Sequence, residues 1–317
     1  MKIILPGGGG HLGTLLARAF QAQGHEVVVL SRKPGKAPWR IVEWDGETLG
    51  PWAKELDGAD ALVNLAGRSV NCRYGEANRQ IIFDSRLKST RVLGEAIAQA
   101  VNPPKVWLQS STATIYAHRY DAANDEATGI MGGHEPNLPD TWKFSYDVAN
   151  SWESVCREMD TPRTRKVFLR TSIVMSPMPK QAFDLLLTLV KLGLGGKAGD
   201  GRQYISWIHG HDFTRAVMWL MEHDEISGPV NLAAPNPLPN VEFMRELRAA
   251  WGMPIGLPAA AWMIEIGTFL MRTESELILK SRRVVPGKLT QAGFKFDYPT
   301  WAEAAKDLCR RVRAGEL

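Results

Sequence analysis

The sequence predicts an α/β chain: a doubly wound parallel sheet carrying a smaller, mostly helical C-terminal lobe. Two observations carry that reading. Apolar, β-branched runs alternate with amphipathic helical stretches through the first half of the chain, the pattern of strands joined by crossover helices. The first such unit is also distinctive. Lys2-Ile3-Ile4-Leu5-Pro6 leads into Gly7, Gly10 and Gly13, and then into a helical face of Leu15, Leu16, Ala19 and Phe20 closed by Gly24. This is strand, tight turn and helix, in which glycines let backbone N–H groups approach a pyrophosphate at the positive end of a helix dipole.

The remaining elements follow in order. Residues 26–30 are β-branched and predict a second strand, buried on both faces. It ends at Ser31, Arg32 and Lys33, and Pro34-Gly35 turns the chain. Residues 41–44 and 61–64 predict a third and fourth strand, the latter entered through Asp57-Gly58. A long helix is expected from about residue 77 to 100, stopped by Pro103-Pro104, and a fifth strand over 105–110. Residues 120–139 are polar and rich in Gly, Asn and Asp, so they predict a loop. A helix over 144–159 and a sixth strand over 166–171 complete the regular part. Further on, helices are expected over 183–192 and 212–222, with a return strand at 229–231. A break at Pro235, Pro237 and Pro239 precedes a helical tail ending near Val312. Residues 1–178 and 210–231 are expected to form the dinucleotide-binding domain, and 179–209 with 232–317 the substrate lobe.

Composition narrows the functional classes. The 317 residues carry a net charge of +4, too mild for a nucleic-acid partner. Lys280-Ser281-Arg282-Arg283 and Arg310-Arg311-Arg313 read as solvated basic faces. Three cysteines, widely spaced and without a C-x-x-C, predict a reducing compartment. No signal peptide is expected ahead of a strand that begins at Lys2. The apolar stretch 254–271 is interrupted by Pro258 and Glu265 and is too short to span a bilayer. The expectation is a cytoplasmic protein with no membrane association.

Three motifs, each following a strand, carry the chemistry. The glycines are spaced G-x-x-G-x-x-G, which assigns Gly7, Gly10, His11, Leu12 and Gly13 to the cofactor. At the end of the second strand, where an acidic residue would bond a ribose 2′-OH, Ser31 and Arg32 stand instead. A guanidinium there suits a 2′-phosphate, so NADP(H) is expected over NAD. Asn64-Leu65-Ala66-Gly67 follows the fourth strand, and Ser110-Ser111-Thr112-Ala113-Thr114-Ile115-Tyr116 the fifth. Ser110 and Arg170 are expected to touch cofactor, because ligands bind at the strands' carboxyl ends. No metal is expected: His209 and His211 lack a third ligand at recognisable spacing.

With these motifs in order, the chain resembles the atypical extended short-chain dehydrogenases of the Rossmann fold known as the epimerase family with a DUF1731 C-terminal domain, which includes the bacterial YfcH-type proteins. The resemblance covers essentially the whole chain. Its most specific stretches are 195–203, Ser206-Trp207-Ile208-His209 with Asp212, and the tail block around Arg282-Arg283-Val284-Val285-Pro286 and Ala292-Gly293-Phe294-Lys295-Phe296. It implies the fold, NADP binding, and a homodimer built on the helices at 77–100 and 144–159. It does not settle the reaction, for which the expectation is hydride transfer to or from a small carbonyl or alcohol with Thr112, in the place of the catalytic Ser/Thr, polarising the oxygen.

The departures from that pattern matter as much. Pro6 and Gly9 replace the usual threonines of the glycine loop. No Y-x-x-x-K occurs anywhere, so the usual acid/base dyad is missing; aligning Phe144, Trp152 and Glu153 puts Lys143 at the tyrosine position and Asp147 at the lysine position. Tyr146, one turn from Lys143, is either a substitute phenol or a packed aromatic. Arg86 takes the place of a helix Asn near the site, and is either an anion-binding group or a surface arginine. Tyr116 and His209 are the remaining candidates for substrate contact or a proton, with packing as the alternative for His209. The alternative function is an NADPH sensor or regulator without turnover.

Overall fold

The computed structural model describes residues 1–33, 35–270 and 274–316; the Pro34 half of the expected turn, Met271 and Leu317 lie outside them. The elements in chain order are β1 (Lys2–Pro6), α1 (His11–Ala22), β2 (Glu26–Ser31), β3 (Arg40–Glu43), β4 (Ala61–Asn64), α2 (Glu76–Gln99), β5 (Val106–Thr112), α3 (Asp140–Glu158), β6 (Arg165–Thr171) and β7 (Ile173–Met175). Then come α4 (Ala182–Lys191), β8 (Tyr204–Ile205), β9 (Trp207–His209), α5 (Gly210–Glu222), β10 (Gly228–Leu232), β11 (Leu238–Pro239), α6 (Asn240–Trp251), α7 (Ala261–Leu270), α8 (Glu276–Leu279), α9 (Gly287–Gln291) and α10 (Trp301–Ala314). The sheet runs β3-β2-β1-β4-β5-β6-β10, and every pairing in it is parallel.

Alternation along the strands builds two layers. Ile3, Leu5, Val27, Val29, Val63 and Leu169 pack against Leu16 and Phe20 of α1 and Phe213 and Val217 of α5. Their neighbours Ile4, Val28, Leu30, Leu62, Trp107 and Phe168 pack on the other face with Val92, Leu93 and Ile97 of α2. Covering both faces is what a parallel sheet requires. A second core gathers Phe183, Leu187, Trp207, Phe243, Leu247, Trp301 and Leu308. There Phe243 and Trp301 stack with centroids 4.0 Å apart, and the indole donates to the Phe243 carbonyl at 2.9 Å.

Two differences from the sequence reading position the site. Strand β5 runs beyond Ser110, because Ser111 and Thr112 pair with Arg170 and Thr171. And Lys280-Ser281-Arg282 is not a solvated face: Lys280 and Ser281 are buried and the Arg282 side chain is 10% exposed. This segment docks on the turn after β5, with Lys280 Nζ donating to the Thr114 carbonyl at 2.9 Å and Arg282 Nε to Thr114 Oγ1 at 3.1 Å.

Candidate active site

The glycine loop sits at the carboxyl edge of β1. Gly7 has φ +72°, and a Cβ there would lie 2.6 Å from Ala66 Cα; only glycine tolerates both. A Cβ on Gly13 would lie 2.2 Å from the Gly8 carbonyl oxygen, whereas one on Gly10 would meet nothing within 4 Å. Gly10 is the N-cap of α1, no side chain caps it, and the first turn carries no acid. No side chain caps the N–H groups of that turn, which makes a cradle that fits the phosphates of a dinucleotide. His11 and Leu12 open the helix; the His11 imidazole meets Ser176 Oγ at 2.6 Å, and burial lowers its pKa to about 4.

At the end of β2, Ser31 Oγ accepts the Lys33 N–H at 3.2 Å, and Arg32 lines a cavity of about 510 Å³ with Glu43, Trp44, Asp45 and Thr48. The two carboxylates are a feature the sequence reading missed. Ser31 pairs with Glu43 across the sheet, so β3 delivers an acid beside the arginine. Asp45 accepts the N–H groups of Glu47 at 2.8 Å and Thr48 at 2.9 Å. Those bonds, led by the one from the Thr48 hydroxyl, hold its carboxyl below the usual range.

Asn64 turns inward, donating to Gln109 Oε1 at 2.9 Å and accepting the Ala66 N–H at 3.0 Å. Leu65 N–H reaches the Pro6 carbonyl at 2.9 Å. The strand ends of β1 and β4 are thereby locked together, with Gly67 lying on the Arg86 guanidinium. Arg86 is 9% exposed, so it is no surface arginine. Its Nη1 donates to the Arg68 and Ile82 carbonyls, both at 3.0 Å, and its Cζ lies 4.9 Å from the Trp152 ring centroid. No carboxylate pairs with it among the described residues, and burial lowers its pKa to about 10.

Ser110 is half-buried within β5, two residues before its end, while Arg170 and Tyr116 are engaged inside the fold. Arg170 Nε and Nη2 grip Glu153 at 2.8 and 2.9 Å. Its Nη1 donates to the Tyr116 oxygen at 3.0 Å, and the phenol donates in turn to Asn231 at 3.0 Å. Burial works to raise the Glu153 carboxyl, but the Arg170 bonds and charge outweigh it and the pKa falls. Tyr146 is fully buried. Its phenol donates to Glu135 at 2.8 Å, and the Lys280 ammonium lies 3.6 Å over its ring. Burial and the Glu135 contact push the phenol's pKa upward, and the packed-aromatic alternative describes its surroundings. His209 is buried too. It stacks on Tyr298 at 3.9 Å, caps α5 by accepting the His211 N–H at 3.1 Å, and lies 3.3 Å from Asp307. Burial lowers its pKa to about 4.

Lys143 and Asp147, which the sequence alignment puts at the dyad positions, face solvent. Their side chains are 57% and 49% exposed and pair with each other at 2.6 Å. The face of α3 turned toward β5 carries Ser145, Ala149 and Glu153, one turn apart. Ala149 packs with Ala113, Ile115 and Tyr116, and Glu153 accepts from Ser111 at 2.6 Å. Thr112 is half-buried at the end of β5, its Oγ1 accepting the Thr114 N–H at 3.1 Å. Ser145 donates to Glu276 Oε2 at 2.6 Å. In the sequence, Glu276 and Lys280 stand four apart, a spacing that sets both on one helix face, while Ile278 between them is exposed.

No helix among the described residues is long and apolar enough to cross a membrane. The ligand atoms of His211, Asp212 and Asp297 lie within 4.8 Å of one another. Asp212 there accepts from Arg215 at 3.0 Å and from the N–H groups of Asp297 and Tyr298 at 3.0 and 2.9 Å.

Comparison with known proteins agrees with this architecture. The NAD dependent epimerase/dehydratase family matches residues 3–233, and the domain of unknown function DUF1731 matches residues 259–308. The chain is 32% identical to the human epimerase family protein SDR39U1, over 97% of this chain and 99% of that one. It is 31% identical to the Bacillus subtilis epimerase family protein YfhF, over 94% of each. The crystal structure of human SDR39U1 isoform 2 with NADPH superposes with a TM-score of 0.85 at 29% identity, covering 98% of this chain and 99% of that one. The glycine cradle, the parallel sheet beneath it and the docked tail are thus those of a member of the NAD dependent epimerase/dehydratase family with a C-terminal DUF1731 domain, and the chain belongs to that family.

Proposed function

We propose that this protein is an NADP(H)-dependent oxidoreductase that interconverts a carbonyl and an alcohol on a small molecule bearing a carboxylate or phosphate. The observation that carries the anionic substrate is Arg86: a buried guanidinium with two backbone carbonyls as its hydrogen-bond partners. A buried cation without a counter-charge is costly, and an anionic ligand relieves that cost. Gly7 to Gly13 would hold the pyrophosphate, Arg32 the 2′-phosphate, and the backbone of Asn64 to Gly67 would line the cofactor. The NADPH in human SDR39U1 supports this choice. Bound there, the cofactor supplies or accepts hydride. Thr112, half-buried at the end of β5, would polarise the substrate oxygen with its hydroxyl.

The test has two arms. Calorimetric titration of NADPH and NADH against wild type and Arg32→Asp should show NADPH preferred by about ten- to a hundredfold, the worth of a charge-assisted phosphate contact, and the preference lost in the variant. A screen following NADPH loss should find keto acids or phosphorylated carbonyls turned over and their esters or dephosphorylated forms ignored, with Arg86→Gln raising KM. Equal affinity for both cofactors removes the assignment. Tight NADPH binding without turnover of any carbonyl leaves a cofactor sensor.

A further inference from the structure

The chain lacks the tyrosine–lysine dyad, yet the inner face of α3 is not chemically empty where it meets β5. Ser145 stands there, half-buried, with Ala149 one turn on. Its Oγ donates to Glu276 Oε2 at 2.6 Å. Glu276 is 1% exposed and belongs to the DUF1731 region. Its other oxygen, Oε1, has no hydrogen-bond partner among the described residues, although two cations flank it: Arg282 Nη2 at 3.5 Å and Lys280 Nζ at 3.7 Å. The same two cations donate to Thr114, at 2.9 and 3.1 Å, and Thr114 N–H donates to Thr112 Oγ1 at 3.1 Å. One continuous network thus joins the hydroxyl at the end of β5 to a pair made by Ser145 of α3 and Glu276 of α8, and both hydroxyl-bearing residues are half-buried rather than sealed.

We propose that Ser145 and Glu276 are the proton-transfer pair of this site, a function moved from the helix to the C-terminal domain; this rests on the oxidoreductase reading. In the direction that makes a carbonyl, the substrate O–H proton passes to Ser145 Oγ as the serine's own proton passes to Glu276 Oε2. The C–H bond breaks, its electron pair leaves as hydride to the nicotinamide, and the C=O π bond forms from the O–H pair. Glu276 ends as the neutral acid, and the reverse reaction returns the same proton. Short O–H···O⁻ bonds between a hydroxyl and a buried carboxylate are among the stronger ones proteins make, and a low-dielectric setting strengthens them further. Lys280 and Arg282 are positioning residues: they flank the carboxylate at 3.7 and 3.5 Å and hold it in place, and burial in turn draws the Lys280 pKa down. A purely structural role for Glu276 would leave Ser145 chemically ordinary, and the two roles differ in a measurable way.

A thiol reports the coupling without any substrate. In a Cys72→Ser background, the remaining native thiols, Cys156 and Cys309, are buried; Ser145→Cys then places one accessible thiol against Glu276. Its iodoacetamide rate near neutral pH should be slow, because the carboxylate disfavours the thiolate, and should rise about tenfold in Ser145→Cys/Glu276→Gln. NADPH affinity serves as the control for folding. Should Glu276→Gln fail to bind NADPH, Lys280→Met gives the opposite sign, slowing alkylation several-fold by removing a flanking cation. A thiol that never reacts, or one indifferent to both changes, overturns the pair. On a substrate from the carbonyl screen, Ser145→Ala and Glu276→Gln should each lower kcat by about 10²–10⁴-fold with NADPH affinity unchanged. A coupled thiol with an inactive wild type overturns the oxidoreductase reading and the pair's role in turnover with it; an uncoupled thiol with an active wild type overturns the pair alone.

Discussion

Glu153→Gln isolates the internal bond on which the strand ends depend. The carboxylate accepts from Arg170 Nε at 2.8 Å and Nη2 at 2.9 Å, from Ser111 at 2.6 Å and from Arg157 at 2.7 Å. Glu153 and Arg170 side chains are 1% and 6% exposed, so no solvent steps in when the charge is removed. The amide keeps the volume but turns an N–H₂ toward one arm of the guanidinium, leaving Arg170 charged and buried. Breaking a buried pair from one side costs about 3–5 kcal/mol. The Arg157 contact, with its guanidinium half exposed, adds at most about 1 kcal/mol. The assay is urea unfolding followed by fluorescence and circular dichroism, with a double-mutant cycle through Arg170→Met. The double variant should be more stable than the sum of the singles predicts, because it removes the orphaned charge together with its partner. A loss under about 1 kcal/mol for Glu153→Gln, or strict additivity, would refute the argument.

Four further outcomes are expected. Gly10→Ala should leave stability unchanged, since its Cβ meets nothing within 4 Å, yet weaken NADPH at least tenfold by calorimetry. Gly13→Ala, whose Cβ overlaps the Gly8 carbonyl, should cost about 1–3 kcal/mol of stability as well. Glu43→Gln should sharpen NADPH-over-NADH preference several-fold at low salt by removing the acid that shares the Arg32 cavity, with the effect shrinking as salt is raised. His209 is held neutral by burial, its pKa about 4 against 6.5 unfolded. Its contribution is therefore fully present above pH 6.5 and is lost as pH falls toward 4, by about 3 kcal/mol at most. The stability gap between wild type and His209→Asn, measured by urea unfolding at pH 7, 5.5 and 4.5, should narrow across that window; a constant gap would contradict this account.

What the sequence determined by itself is what local chemistry enforces. The glycines of the first turn, the β-branched strands and the amphipathic helices each have a physical reason within a few residues, so the parallel sheet and its cradle were legible, with strand limits shifted by a residue or two. The spacing of Gly7, Gly10 and Gly13 sufficed because a backbone packed as tightly as Gly7 on Ala66 admits no side chain. The tertiary structure decided everything that depends on which distant segments meet. It set Glu43 beside Arg32 through a strand pairing and buried Arg86 beneath Gly67. It turned Lys143 and Asp147 to solvent, because a helix presents only one face inward and two residues of misregister change that face. Most of all, it brought Glu276 to Ser145, 131 positions away in the chain. No local pattern encodes such a contact: the charges of the tail read as a solvated run until Lys280 and Arg282 are seen to dock on the turn after β5.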